Sequence, residues 1–283
     1  MEIESLYRQK LDGLSLPYEL MTIETSFCDT NIVITGTEEN PPLVLIHGNF
    51  GCAPSAIEAM VELVAHFRIY AVDIPGQPNL SAKCEFNMKD NSYGEWMYEI
   101  LSRLGVYNAT LVGISRGGFI ALKTLIFDEK RIARTFLITP AGIVNGNPLQ
   151  LFLRVILPLQ RYRTTENSKY LSCFLEEIYS EQNEFSKAFL SNALLHFNVD
   201  LSRAPLIRKK EARRIKTPVY IFAAEKDVLF PHKRMIRRVK RLFPGLKDTV
   251  VLSGSKHVLS LKSYSKIAAY IIKTSIFNTF KTK

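Results

Sequence analysis

Three side chains, far apart in the sequence, have the types and settings needed for nucleophilic acyl transfer. Ser115 stands in Gly113-Ile114-Ser115-Arg116-Gly117, directly after the apolar run Thr110-Leu111-Val112 and before a helical pattern. Glycines two residues to either side allow a turn so tight that side chains there would collide with neighbouring backbone, and the strained turn pushes the hydroxyl outward. A serine hydroxyl is a poor nucleophile at neutral pH and needs a base within hydrogen-bond reach. Of the five histidines, His47 belongs to a His47-Gly48 turn, His66 lies within a helical pattern, His196 falls in a stretch without strands, and His232 begins a helix after Pro231. His257 follows the last strand in Ser253-Gly254-Ser255-Lys256-His257, where an imidazole can swing over a sheet, and is the expected base. The base needs a carboxylate that fixes its tautomer and stabilises the imidazolium. Asp227 lies past a strand in Ala224-Glu225-Lys226-Asp227-Val228. Glu225 is its rival, two residues nearer the strand; Asp227 is preferred because it lies farther into the loop, from which a side chain reaches across.

These residues need a frame that brings them together. Residues 20–27 and 31–35 read as two strands of an opening hairpin. Strand patterns at 43–46, 68–72, 110–114 and 133–139 then alternate with helical ones at 53–66, 93–104 and 117–127, which implies a parallel sheet covered on both faces. From residue 143 to 212 the rhythm breaks: helix-like stretches at 149–159, 170–179 and 184–196 follow one another without a buried strand. The alternation resumes with strand 218–224, a basic helix at 232–242, strand 248–252 and a closing helix from residue 259. In such a sheet ligands bind beyond the carboxyl ends of the strands, where Ser115, Asp227 and His257 all fall.

Ser115, Asp227 and His257 occur in the nucleophile, acid, base order of the α/β-hydrolase family, which the chain resembles over most of its length. His47-Gly48-Asn49-Phe50-Gly51 looks like that family's oxyanion loop, Asp73-Ile74-Pro75-Gly76-Gln77-Pro78-Asn79-Leu80-Ser81 like its segment after the next strand, and Ala223-Ala224-Glu225-Lys226-Asp227 like its acid-bearing strand end. The resemblance implies a mostly parallel eight-stranded sheet with helices on both faces and a helical cap insertion. Residues 1–142 and 213–283 would form the core and 143–212 the cap. It also implies that Gly113 and Gly117 frame a nucleophile elbow, that the backbone N–H groups of Asn49 and Arg116 form an oxyanion hole, and that no metal or organic cofactor takes part. The sequence departs from the family at Gln77-Pro78-Asn79, where a second glycine is frequent, and at Lys256, where glycine is common before the histidine.

Composition sets the remaining bounds. With 283 residues, 47% of them hydrophobic, the chain can bury a sizeable core. The N-terminal residues lack the pattern of a signal peptide and the apolar segments are too short to span a bilayer. Cys28, Cys52, Cys84 and Cys173 show no CxxC pairing, and reduced thiols in a cytoplasmic protein are expected. The net charge of +10 is concentrated in residues 203–247, a density that could attract nucleic acid, anionic lipid or an acidic partner; it is read as a solvated basic face, since no nucleic-acid motif accompanies it, and no nucleic-acid partner is expected. The expected activity is hydrolysis of a carboxylic ester or related acyl bond in a small molecule, carboxylesterase-like, through an acyl-enzyme on Ser115. Phe152, Leu153, Phe174, Phe189, Leu194, Leu195 and Phe197 would either line a pocket for an apolar acyl or alcohol group or pack the cap on itself. Hydrolysis of a carbon–carbon bond by the same triad and ligand binding without catalysis are the alternatives.

Overall fold

The structure is a computed structural model and describes residues 3–84, 86–197 and 202–277. In chain order it contains α1 (Ile3–Gly13), β1 (Tyr18–Ile23), β2 (Thr30–Thr35), β3 (Pro42–Ile46), α2 (Ala53–Ala59) and β4 (Arg68–Val72). Then come α3 (Ser92–Arg103), β5 (Ala109–Ile114), α4 (Arg116–Phe127) and β6 (Ile132–Ile138). Five helices follow, α5 (Pro148–Leu151), α6 (Leu157–Thr165), α7 (Ser168–Ile178), α8 (Glu184–His196) and α9 (Lys209–Ala212). The chain continues through β7 (Val219–Ala224), α10 (His232–Leu242), β8 (Leu246–Leu252) and α11 (Leu261–Phe277).

The strands form one eight-stranded sheet in the order β1-β2-β4-β3-β5-β6-β7-β8. β2 pairs antiparallel with β1 and β4, and every other neighbouring pair is parallel. The central strands β5 and β7 are buried at every position, whereas the edge strands β1 and β8 are largely open, as expected for a sheet covered on both faces only at its centre. Alternate residues feed two cores. Val44 and Ile46 of β3 pack with Trp96 of α3, Phe119 of α4 and Met235 of α10 in the core on one face. Leu43 and Leu45 pack with Tyr7 of α1, Ile57 of α2 and Ile267 of α11 in the core on the other. Helices α5–α8 have a third core, with Val155, Leu159, Phe174 and Leu194 among its members. The chain leaves β3 for β4 on one side and then returns to β5 on the other. The carboxyl ends of β3 and β5 therefore flank the switch point at which parallel sheets present a crevice.

The structure departs from the sequence reading in four places. Helix α1 is not among the elements expected; its face of Ile3, Leu6, Tyr7 and Leu11 is buried. The stretch 53–66 is not one helix, since the chain leaves helical geometry at Met60 (φ −125°, ψ 29°) and continues as a 3₁₀ turn over Val61–Ala65. Residues 148–165 run through a π-helical turn, Phe152–Ile156, between α5 and α6. Finally, the expectation of four reduced thiols is corrected. Cys28 and Cys84 form a disulfide across 56 positions, because the β1–β2 loop lies against the segment after β4, where the Ala82 N–H donates to the Asp29 carbonyl at 3.0 Å. Disulfides are characteristic of oxidising compartments, so the thiols give no support to a cytoplasmic location. Cys52 is free and buried, and Cys173 is free and exposed. Among the described residues no helix is long and apolar enough to cross a membrane.

Candidate active site

Ser115 occupies the turn between β5 and α4 with φ +52° and ψ −111°, a left-handed geometry that costs free energy in any residue with a side chain. Neighbouring strands hold it there: its N–H donates to the Ile138 carbonyl at 2.9 Å, and its carbonyl accepts from the Ala141 N–H at 3.0 Å. The two framing glycines are required sterically. A Cβ on Gly113 would lie 2.4 Å from the Gly117 carbonyl oxygen, and one on Gly117 would lie 2.2 Å from the Ile46 carbonyl oxygen. The second contact also sets the first turn of α4 against the end of β3. The N-terminus of this twelve-residue helix begins at Arg116, directly after the serine, where the helix dipole favours negative charge.

The structure brings the three distant residues together. His257 Nε2 is 2.9 Å from Ser115 Oγ, and His257 Nδ1 is 2.9 Å from Asp227 Oδ2. The second carboxylate oxygen, Asp227 Oδ1, accepts the N–H groups of Leu229 at 2.8 Å and Phe230 at 3.0 Å, so the carboxylate is fixed from behind. The Phe230 ring meets the imidazole edge-on, with centroids 5.3 Å apart. Asp227 and His257 are both buried. Glu225 has a different position: its exposed carboxylate accepts from Ser253 Oγ and the Gly254 N–H, which holds its pKa below the usual carboxylate value. It braces the loop that carries His257 without reaching the imidazole.

Asn49 lies in the loop after β3 and Arg116 opens α4; the Arg116 guanidinium donates to Asn49 Oδ1 at 3.0 Å, tying the two segments beside Ser115. The loop is set by residues that the sequence reading treated as departures or passed over. Phe50 adopts φ +54°, and its N–H donates to Gln77 Oε1 at 3.0 Å. Asn79 Nδ2 donates to the Ile74 carbonyl and lies 3.3 Å from His47 Nε2. His47 is buried, with Nδ1 against the Gly48 carbonyl and Nε2 accepting from the Ile74 N–H, and burial pushes its pKa down to about 4. Beneath the loop, buried Asp73 accepts from Tyr7, Asn31 and the Ala53 N–H at 2.7–2.8 Å, and burial raises its carboxyl to about 6. The sequence signals for this support were the His47-Gly48 turn and the positions of Asp73, Gln77 and Asn79 in the segment after β4, while Tyr7 and Asn31 carried none.

Lys256, the other departure, also makes contacts that hold the site. Its N–H donates to Ser180 Oγ and its ammonium to the Glu176 carbonyl, while Val258 and Tyr179 form a parallel bridge. The His257 loop is thereby stitched to the end of α7. Between α5–α8 and the sheet lies a cavity of about 460 Å³ that contains Ser115 and His257. Phe174 and Phe189 line it together with Leu151, Val155, Leu159 and Leu190. Leu194 packs in the core of α5–α8, Leu195 packs against that core, Phe197 packs against the sheet core, and Phe152 and Leu153 face solvent. The aromatic content of this region thus divides between lining and packing. Among the described residues no group of three or more His, Cys, Asp or Glu side chains is placed to hold a metal ion.

Comparison with known proteins agrees with this architecture. The family model of the alpha/beta hydrolase fold matches residues 41–167. The uncharacterized carboxylesterase nap of Bacillus subtilis (strain 168) is 24% identical over 272 residues, covering 90% of this chain and 86% of that protein. Carboxylesterase YbfK of the same strain is 24% identical over 264 residues, covering 90% and 87%. The crystal structure of naproxen esterase (carboxylesterase NP) from Bacillus subtilis matches with a TM-score of 0.83 at 19% identity, over 95% of each chain. With the sheet order, the strained serine turn and the family match in agreement, the chain has the α/β-hydrolase fold.

Proposed function

We propose that the protein is a serine hydrolase that cleaves carboxylic esters or related acyl bonds in small, largely apolar substrates. The observation that carries this reading is the continuous chain from Ser115 Oγ through His257 to Asp227, 2.9 Å at each step, opening into a cavity lined mainly by aliphatic and aromatic side chains. The similarity to carboxylesterases supports the same class.

In this mechanism His257 Nε2 takes the Ser115 proton as Oγ attacks the substrate carbonyl carbon. The carbonyl π electrons move to oxygen, and the resulting oxyanion is stabilised by the backbone N–H groups of Asn49 and Arg116, each donor contributing about 3 kcal/mol. The imidazolium then protonates the departing alcohol, which leaves an acyl-enzyme and neutral His257. Water, deprotonated by the same nitrogen, attacks the acyl carbon; collapse returns the proton to Ser115 and releases the acid. Asp227 keeps Nδ1 protonated throughout. Residues 143–212 act as a cap that excludes water and supplies the apolar lining, over a core of 1–142 and 213–283.

The test is hydrolysis of p-nitrophenyl esters of graded acyl length by wild type and Ser115→Ala. The proposal expects turnover by wild type that varies with acyl length and is abolished by the substitution. Wild type inert toward the whole series, or Ser115→Ala as active as wild type, overturns it.

A further inference from the structure

The segment after Asn145 is two-faced. Leu151 and Val155 point into the cavity, while Leu149, Phe152 and Leu153 are 66%, 47% and 51% exposed. Three large apolar side chains at i, i+3 and i+4 make one exposed stripe on a helical segment. Packing of the fold does not require it, because the cores take the other face.

The basic helix α10 is fastened at the stem of the same segment. Its sequence, His-Lys-Arg-Met-Ile-Arg-Arg-Val-Lys-Arg-Leu, contains no acidic residue. Met235, Val239 and Leu242 are buried, while Lys233, Arg234, Arg237, Lys240 and Arg241 are exposed. Two hydrogen bonds fasten this helix to both stems of the helical insertion: Arg234 Nη1 donates to the Asn145 carbonyl at 3.1 Å, and Arg238 Nη2 to the Ile207 carbonyl at 2.7 Å. Leu149 is four residues past Asn145, so it lies within about 14 Å of that carbonyl. Around Ile207, exposed Leu206 is followed by exposed Arg208, Lys209 and Lys210, with Glu211 pairing to Arg208.

We propose that this combined surface docks on an anionic lipid bilayer, with the basic residues attracted to acidic headgroups and Leu149, Phe152 and Leu153 inserted at the headgroup–acyl boundary. Cationic charge beside protruding apolar side chains complements a surface that is negative outside and apolar beneath. A nucleic acid would neutralise the charge but offers no apolar layer to bury the stripe. Docking does not depend on the hydrolase reading. Taken with that reading, it places the wall of the cavity against a source of apolar esters.

The test is co-sedimentation of the full chain with vesicles of phosphatidylcholine alone and of phosphatidylcholine mixed with phosphatidylglycerol, at low and high salt. Preferential binding to the anionic vesicles, weakened by salt, is expected. The triple variant Lys233→Gln/Arg237→Gln/Lys240→Gln should weaken partitioning on the order of 100-fold, since each cation contributes about fivefold near such a surface. Leu149→Gln/Phe152→Gln/Leu153→Gln should weaken it about tenfold or more while leaving vesicle-free turnover and the melting temperature near wild type. Equal binding to both vesicle types, or to neither, overturns the proposal with the wild type alone. So does binding to duplex DNA as strong as to anionic vesicles together with an apolar variant that binds like wild type, which would assign the surface to polyanions at large.

Discussion

Replacing Asp227 by Asn should abolish most activity while leaving the fold almost untouched, for a reason visible in its hydrogen bonds. Oδ1 receives the N–H groups of Leu229 and Phe230, and Oδ2 faces His257 Nδ1. An asparagine in this pocket has one oxygen, and the two backbone donors claim it; turning the amide nitrogen toward them would oppose donor to donor twice. The NH₂ group therefore faces His257, so Nδ1 must accept and the proton moves to Nε2. Nε2 then points an N–H at Ser115 Oγ and cannot take the serine proton. Loss of the productive tautomer in a triad of this type lowers kcat about 10⁴-fold. Because both backbone bonds persist, unfolding free energy should change by no more than about 1 kcal/mol. Steady-state kinetics on a p-nitrophenyl ester and urea denaturation measure both quantities. Glu225→Gln is the matched control, since the Glu225 carboxylate accepts from the loop residues Ser253 and Gly254 and does not reach His257, and its kcat should stay within a few fold of wild type. An Asp227→Asn enzyme within tenfold of wild type, or a larger loss in Glu225→Gln, would refute the assignment of the acid.

Three other perturbations reach the residues around the site. His47 is held neutral at a pKa of about 4 against 6.5 in the unfolded chain, so the stability it contributes is present above pH 6.5 and lost as pH falls toward 4. The stability difference between wild type and His47→Gln should therefore narrow by roughly 3 kcal/mol between pH 7 and pH 4 in urea titrations, and a constant difference would contradict a buried neutral imidazole. Gln77→Ala deprives the Phe50 N–H of its acceptor in a left-handed turn. A loss of about 1–3 kcal/mol should appear mainly in kcat, roughly 10- to 100-fold, and an unchanged kcat would mean that the loop after β3 holds without it. Cys28→Ser opens a cross-link spanning 56 positions and should lower stability by about 2–4 kcal/mol, with thiol titration of unfolded wild type under non-reducing conditions finding two thiols. Four titratable thiols would contradict the bond.

The parts of the fold that could be read from sequence are those where a local pattern has a single structural meaning. Leu43–Ile46 is a continuous apolar run too short for a helix and ending at His-Gly, which favours a buried strand feeding a turn. Ser115 could be singled out because the glycines that a tight turn needs lie within five residues of chain, and Ser115 sits at φ +52° in the structure. His257 and Asp227 could be proposed from their places after strands, although no local signal reports that they meet. Contacts between remote segments stayed hidden for the same reason. The Tyr7–Asp73 bond joins residues 66 apart, and the Cys28–Cys84 bond depends on how the loop before β2 meets the segment after β4. Helix α1 had a signal in Ile3, Leu6, Tyr7 and Leu11, at helical spacing but diluted by charged neighbours. Gln77 and Lys256 were noticed only as departures from a family pattern. In the folded chain each ties a loop of the candidate site to an adjoining segment, which a glycine at either position has no side chain to do.

The central claim is that Ser115 is the nucleophile, and its most direct test is covalent capture. A fluorophosphonate probe should add one phosphonyl group per chain, and mass spectrometry of the digested protein should locate it on the peptide containing Ser115. Ser115→Ala should remain unlabelled, and Asp227→Asn should label far more slowly. A phosphonyl group found on another residue, or labelling of Ser115→Ala at the wild-type rate, would contradict the account.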